Sequence, residues 1–120
     1  MIAGTLAFMA PETLRGAPLS PAVDVWAFGV LLSEMLVGVP PFAGHSAYEL
    51  AAAIMNEAPR ALPPTVPAPV AAVIGRCLEK VPLRRYGSAR ELFAALEPLV
   101  SGSTASVPVV PVRRVPRTAL

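Results

Sequence analysis

Few side chains in this sequence could do chemistry by themselves. The one histidine, His45, sits in a loop beside Ser46, and no triad-like arrangement of nucleophile, base and orienting carboxylate surrounds it. A solvated loop residue is the plainer reading. The one cysteine, Cys77, rules out an internal disulfide and a multi-cysteine metal site. It falls on an apolar helix face, where cysteine behaves as a small hydrophobe rather than a reactive thiol. Near the N-terminus, Gly4-Thr5 reads on turn chemistry as a tight turn with a capping hydroxyl. Asp24 follows Ser20-Pro21 in an expected first helical turn, where the helix dipole favours a carboxylate.

The elements that must hold these residues are punctuated by proline and glycine. Ser20-Pro21 fits an N-cap followed by proline at the first helical position, and Gly38 fits a stop, so the first helix is predicted over about 21–37. Apolar residues surround it on nearly all sides, including Val25, Trp26, Phe28, Val30 and Leu31, which makes it the central helix of its domain. Ser46-Ala47-Tyr48-Glu49 is a capping-box pattern and opens a second helix to about Asn56. Five prolines between Pro59 and Pro69 read as an extended connection. A third helix is predicted over about 70–80, with Val70, Val73, Ile74, Cys77 and Leu78 on one face. Ser88-Ala89-Arg90-Glu91 repeats the capping box and opens a fourth, ending near Pro98. No period-two pattern appears, so the fold class expected is all-α with a loop-rich N-terminus.

Composition agrees with one packed domain. Of the 120 residues 54% are hydrophobic and 15% charged, enough apolar surface to offset the entropy of ordering. The most apolar run, 22–37, is too short for a bilayer and carries Asp24 and Glu34, so no membrane segment is expected. Residues 1–10 lack a basic n-region, which counts against a signal peptide and makes the cytoplasm the default. The formal charge is +2, but three of the ten basic residues, Arg113, Arg114 and Arg117, fall in the last eight positions. Without a basic stripe interleaved with aromatics, no nucleic-acid partner is expected. From Ser101 the Ser, Thr, Val, Pro and Arg content reads as a disordered or polyproline-like tail over 101–120, with Thr104, Ser106 and Thr118 as hydroxyls open to phosphorylation.

Four blocks in a fixed order carry a family resemblance. Gly4-Thr5-Leu6-Ala7-Phe8-Met9-Ala10-Pro11-Glu12 resembles the G-T-x-x-Y/F-M-A-P-E end of a protein-kinase activation segment. Asp24-Val25-Trp26-Ala27-Phe28-Gly29 is similar to the D-x-W-S-x-G that opens the family's large central helix. Pro40-Pro41-Phe42 follows that helix, as in the family. Arg76-Cys77-Leu78-Glu79-Lys80-Val81-Pro82-Leu83-Arg84-Arg85 resembles the R-C-L-x-x-D-P-x-x-R block near the kinase C-terminus. The resemblance is to serine/threonine kinases, bacterial or eukaryotic-like, and covers the C-terminal part of the large lobe from A-P-E onward.

The resemblance implies roles residue by residue. Glu12 and Arg85 match a glutamate and arginine that pair, a bond able to pin the loop to the helices, although either could be a solvated surface charge. Thr5 matches the threonine that favours hydroxyl substrates, and Gly4, Thr5, Leu6, Ala7, Phe8, Met9 and Ala10 would hold the substrate residue after the phosphoacceptor. Asp24 matches the aspartate that bonds the catalytic loop, while Trp26 and Gly29 match structural positions. Ala27 departs from the usual serine, and Val81 from the aspartate before Pro82, which is expected to loosen the turn presenting Arg85.

Phosphoryl transfer by the family's route needs a glycine-rich loop, a phosphate-binding lysine, a catalytic aspartate and metal-holding residues. This sequence has no G-x-G-x-x-G, V-A-I-K, H-R-D or D-F-G. The expectation is a partial, pseudokinase-like kinase domain over 1–100 that binds no cofactor itself; ATP and magnesium belong to the complete family member. Its partner would be a protein substrate or another protein at the loop. Two origins stay open: Met1 as an internal methionine of a longer kinase, or a non-catalytic interaction module derived from a kinase lobe. Cutting before Gly4 is expected to expose an apolar face around Trp26 and Phe28.

Overall fold

The computed structural model describes residues 6–105, with side chains to residue 100. Gly4, Thr5, Ser106, Thr118 and the remainder of the expected tail lie outside the described residues, as does the side chain of Thr104. Among the described residues, five helices and one 3-10 turn follow in order: α1 (Pro11–Leu14), α2 (Pro21–Val37), α3 (Ala47–Asn56), α4 (Ala68–Cys77), the 3-10 turn (Pro82–Arg84) and α5 (Ala89–Ala105). Among the described residues there is no strand, and the fold class is all-α.

Local chemistry sets most of these limits. Pro21 occupies the first turn of α2, yet Ser20 makes no side-chain cap bond, so the preset φ of proline rather than a hydroxyl starts this helix. Gly38 ends it at φ 90°, donating its N–H to Glu34 O at 2.7 Å, a conformation that glycine adopts without a Cβ penalty. Both capping boxes form. Ser46 Oγ accepts from Glu49 N–H and Ser88 Oγ from Glu91 N–H. The glutamates reach one residue beyond the cap, accepting from the N–H of His45 and of Gly87.

The structure departs from the sequence expectations in four places. Helix α1 was unanticipated; it is a single turn with Pro11 at its start. Helix α4 begins at Ala68, and it stops at Cys77 rather than near Lys80. There Leu78 N–H is shared between the carbonyls of Ile74 and Gly75, and Glu79 N–H closes on Arg76 O, so the last turn tightens and the helix ends. Helix α5 runs through Pro98 to Ala105, further than a proline stop predicts. Pro98 and Ala94 both lie on the exposed side, so the helix bond that proline forfeits is lost where water can replace it. Finally, Trp26 is fully buried, so it is not part of an exposed apolar face. The uncovered side of α2 is Leu31, Met35 and Leu36, with Met35 71% exposed.

Two apolar clusters flank α2. One gathers Trp26, Val30, Phe42, Leu50, Ala53, Ile54, Ile74 and Leu78, with Leu6 and Ala10 from the N-terminal loop. The other holds Val25, Val73, Cys77, Tyr86 and Leu92, and Phe28 meets Phe93 edge-on beside it at 5.2 Å between centroids. The connection after α3 is tied to the Pro40-Pro41 turn by Arg60, whose N–H and Nε–H donate to Pro41 O and Pro40 O.

Helices α2 and α4 touch where Gly29 faces Cys77. A Cβ at position 29 would lie 2.5 Å from Cys77 Cβ and 3.0 Å from Leu78 Cδ2, well inside contact distance. Gly29→Ala is therefore expected to push the helices apart and cost about 1–3 kcal/mol. Because the obstacle is Cβ itself, Cys77→Ala should not restore stability in the double variant. Denaturant unfolding of both variants checks this.

Candidate functional site: the Glu12–Arg85 anchor and the loop it holds

Arg85 sits at the C-terminal end of the 3-10 turn, with a side chain that is wholly buried. A buried guanidinium must place all five N–H donors or bear their desolvation, and this one places each. Nη1 and Nη2 each donate to one carboxylate oxygen of Glu12, both at 2.7 Å. Nη1 also donates to Ala22 O at 3.0 Å, Nη2 to Lys80 O at 3.4 Å and Nε to Glu79 O at 2.8 Å. One side chain thus joins α1, the first turn of α2 and the segment after α4. The guanidinium carbon also lies 5.0 Å from the Trp26 ring centroid, within cation–π range.

The turn that delivers Arg85 forms despite Val81. Arg84 and Arg85 N–H donate to Val81 O and Pro82 O, and Arg76 stacks on Tyr86 at 4.2 Å while its Nε–H donates to Arg84 O. Pro82 and the Arg76 clamp hold what an aspartate cap would otherwise hold.

The loop pinned by Glu12 divides into buried and accessible residues. Leu6 and Ala10 point into the core, Ala7 and Met9 are half-buried, and Phe8 is 38% exposed. Phe8 lines an open apolar cleft of about 430 Å³ with Asp24, Ala27, Phe28 and Leu31. Asp24 is exposed there, and among the described residues its carboxylate makes no hydrogen bond. Trp26 is committed to packing, stacked on Phe42 at 5.5 Å with an interplanar angle of 9°; no described residue accepts from its Nε1. His45 is exposed and joins no site. Among the described residues, no group of three His, Cys, Asp or Glu side chains converges as a metal site would require, and no helix is long and apolar enough to cross a membrane.

Lys80 was passed over in the sequence as a variable position of its block. Its Nζ donates to Ile54 O in the last turn of α3 at 2.6 Å and lies 4.3 Å from the Phe42 centroid and 5.4 Å from that of Trp26. The available signal was that it is the sole lysine among ten basic residues.

With this geometry in hand, comparison with known proteins decides the family. A family model described as protein kinase domain matches residues 1–95. The chain belongs to the protein kinase domain family. Similar relatives include the serine/threonine-protein kinases drp72 of Corynebacterium efficiens, 38% identical over 111 residues, which is 92% of this chain and 21% of that protein. Serine/threonine-protein kinase PkaA of Streptomyces coelicolor is 44% identical over 99 residues, 82% of this chain and 18% of its own length. Human mitogen-activated protein kinase kinase kinase 11 is 38% identical over 98 residues, 79% of this chain and 12% of its own length. The chain thus spans about a fifth or less of the curated kinases it matches.

The anchor makes energetic predictions within this kinase-family chain. Arg85→Ala leaves the Glu12 carboxylate and three backbone carbonyls without their donors and should cost about 3–5 kcal/mol. Arg85→Lys should recover little, since an ammonium cannot reproduce the planar fork. Chemical denaturation of the three proteins measures both effects. Burial alone would raise the Glu12 carboxyl, but the Arg85 hydrogen bonds, a backbone bond and the Arg85 and Arg15 charges outweigh it and hold the group below its ordinary 4.5.

A half-buried lysine and a buried thiol set the alkaline limb. Burial pushes Lys80 down from 10.5 to about 8, with Glu57 opposing and Arg85 and Arg15 reinforcing the fall. Burial pushes the Cys77 thiol up from 9.0 to about 12, partly offset by Arg76, Arg85 and a backbone bond. Above about pH 8 the unfolded chain holds a proton on Lys80 that the folded chain has lost, so stability rises with pH. Above 9.0 the unfolded chain loses the Cys77 proton that the folded chain keeps, so the two slopes cancel up to 10.5. Unfolding free energy should climb from about pH 8 to 9, stay level to 10.5 and then fall. In Cys77→Ala the climb should continue to 10.5. Urea titrations along this pH series test the sign of each step.

Proposed function

We propose that these residues form the substrate-side, C-terminal part of a serine/threonine protein kinase domain, with residues 4–10 as the loop that receives the protein substrate beside its phosphoacceptor. The observation carrying this reading is the bidentate Arg85–Glu12 bond. It fixes a loop bearing the family's A-P-E residues against a helical base, and it leaves Phe8 exposed on the outer side. In the proposal, Thr5 favours a hydroxyl substrate and Phe8, Ala7 and Met9 supply the accessible contact surface. A complete kinase would supply ATP, magnesium and the groups that orient the attacking hydroxyl.

The 120 residues by themselves contain none of the sequence motifs for those groups. The reading therefore has this chain, on its own, binding no ATP and transferring no phosphoryl group. Isothermal titration of the purified chain with magnesium and ATP should give no saturable heat. A dissociation constant in the micromolar range would overturn the proposal. The open cleft of Phe8, Ala27, Phe28 and Leu31 supports a second reading, a non-catalytic module that docks a protein partner. Coding sequence upstream of Met1 separates the two: in-frame kinase motifs favour the first, and a start site directly before Met1 favours the second.

A further inference from the structure

Between α2, the connection after α3 and α4 lies a second cavity, of about 270 Å³, which shares no lining residue with the Phe8 cleft. Leu62, Ala71, Ile74 and Leu78 give it apolar walls, and two polar side chains, Ser33 and Arg60, join them. Ser33 and Arg85 are the buried polar or charged side chains among the described residues, each 2% exposed. Arg85 places every donor, whereas no described residue bonds the Ser33 hydroxyl, not even the carbonyl four residues back that a helical serine often uses. Arg60 is fixed at its base, since its main-chain N–H donates to Pro41 O and its Nε–H to Pro40 O. Its two Nη groups have no partner among the described residues, and no carboxylate lies within ion-pair distance of them, the only ion pair there being Arg85–Glu12. On the α4 wall Gly75 leaves open space, because a Cβ at that position would meet nothing within 4 Å.

We propose that this cavity binds small carboxylic acids with a compact apolar body, either as free acids or as the apolar C-terminal residue of a peptide. The anchored guanidinium of Arg60 takes the carboxylate through its Nη N–H groups, the planar fork that such an anion fits best. The apolar body replaces water against Leu62, Ile74 and Leu78, and the Ser33 hydroxyl serves a polar atom of the ligand. The volume is at the lower end for ligand cavities, so the body is about the size of one aromatic ring or branched side chain. No acidic residue lines the cavity, and the Arg60 charge disfavours cations. This binding requires none of the phosphoryl-transfer groups and is independent of the substrate loop.

The test titrates the 120-residue chain with phenylacetate and with its neutral amide, following main-chain amide chemical shifts. The acid should give saturable shifts at Leu62, Ile74 and Gly75, and the amide should bind about tenfold more weakly, as loss of a charge-assisted pair requires. Arg60→Gln should lose about the same factor for the acid. Gly75→Leu places a better helix former in the open space; it should abolish binding without lowering the denaturation midpoint. The comparison of acid with amide needs no variant, so it holds even if a substitution disturbs the fold. A dipeptide of alanine and phenylalanine, acetylated at its N-terminus and free at its carboxyl end, identifies the source. Tighter binding than phenylacetate assigns the site to a chain end, and weaker binding assigns it to a free acid. Absence of saturable shifts with either acid, equal affinity for acid and amide, or shifts confined to the Phe8 and Phe28 cleft overturns the proposal.

Discussion

The buried guanidinium of Arg85 is the constraint on which the rest of the arrangement depends. Five donors in a rigid fork meet five acceptors drawn from Glu12, Ala22, Glu79 and Lys80. Those acceptors belong to three stretches of chain: α1, the first turn of α2 and the segment after α4. A charge so placed is stable only while every partner is present, which couples the position of the N-terminal loop to the turn before α5. The carboxylate of Glu12 gains in the same exchange, because the guanidinium offsets the penalty of its partial burial.

Trp26 converts that polar anchor into packing. The Arg85 guanidinium and the Lys80 ammonium both lie within range of its ring, which also stacks on Phe42. The indole therefore joins the anchor to the cluster containing Leu50, Ile54, Ile74 and Leu78. The two cations differ in kind. Arginine keeps its charge at any pH a protein meets, so the anchor is permanent, whereas a half-buried lysine can shed its proton near pH 8. The same aromatic pair thus borders one fixed charge and one that responds to its surroundings.

The apolar side of α2 has a different status. Leu31, Met35 and Leu36 are uncovered, and Phe8 and Phe28 border the open cleft beside them. Exposed aliphatic and aromatic groups in such a row mark a surface that another part of a molecule, or another molecule, covers. The curated kinases drp72 and PkaA extend several times beyond the region they share with this chain.

Much of this was legible in the residues. The limits of α2 and α3 followed from Pro21, Gly38 and the Ser46–Glu49 box, because proline, glycine and capping side chains act over a few bonds. The family was legible too, since the four blocks are side-chain patterns that survive in linear order. Where the sequence misled, the helix ends were decided by backbone detail that residue patterns do not carry. Helix α4 stops at Cys77, where Leu78 and Glu79 N–H close on Gly75 O and Arg76 O in a tighter turn, and α5 passes Pro98 because its lost bond faces water. The mostly apolar surface of α2 implied a helix covered all round, but periodicity does not say which neighbours are present to cover it. Sequence alone therefore determined the helical elements, their order and the family. Only the tertiary structure decided that Glu12 reaches Arg85, that Phe8 rather than Leu6 or Ala10 faces outward, and that Lys80 sits over Phe42. Those facts rest on contacts between residues far apart in the chain, whose geometry no local propensity contains.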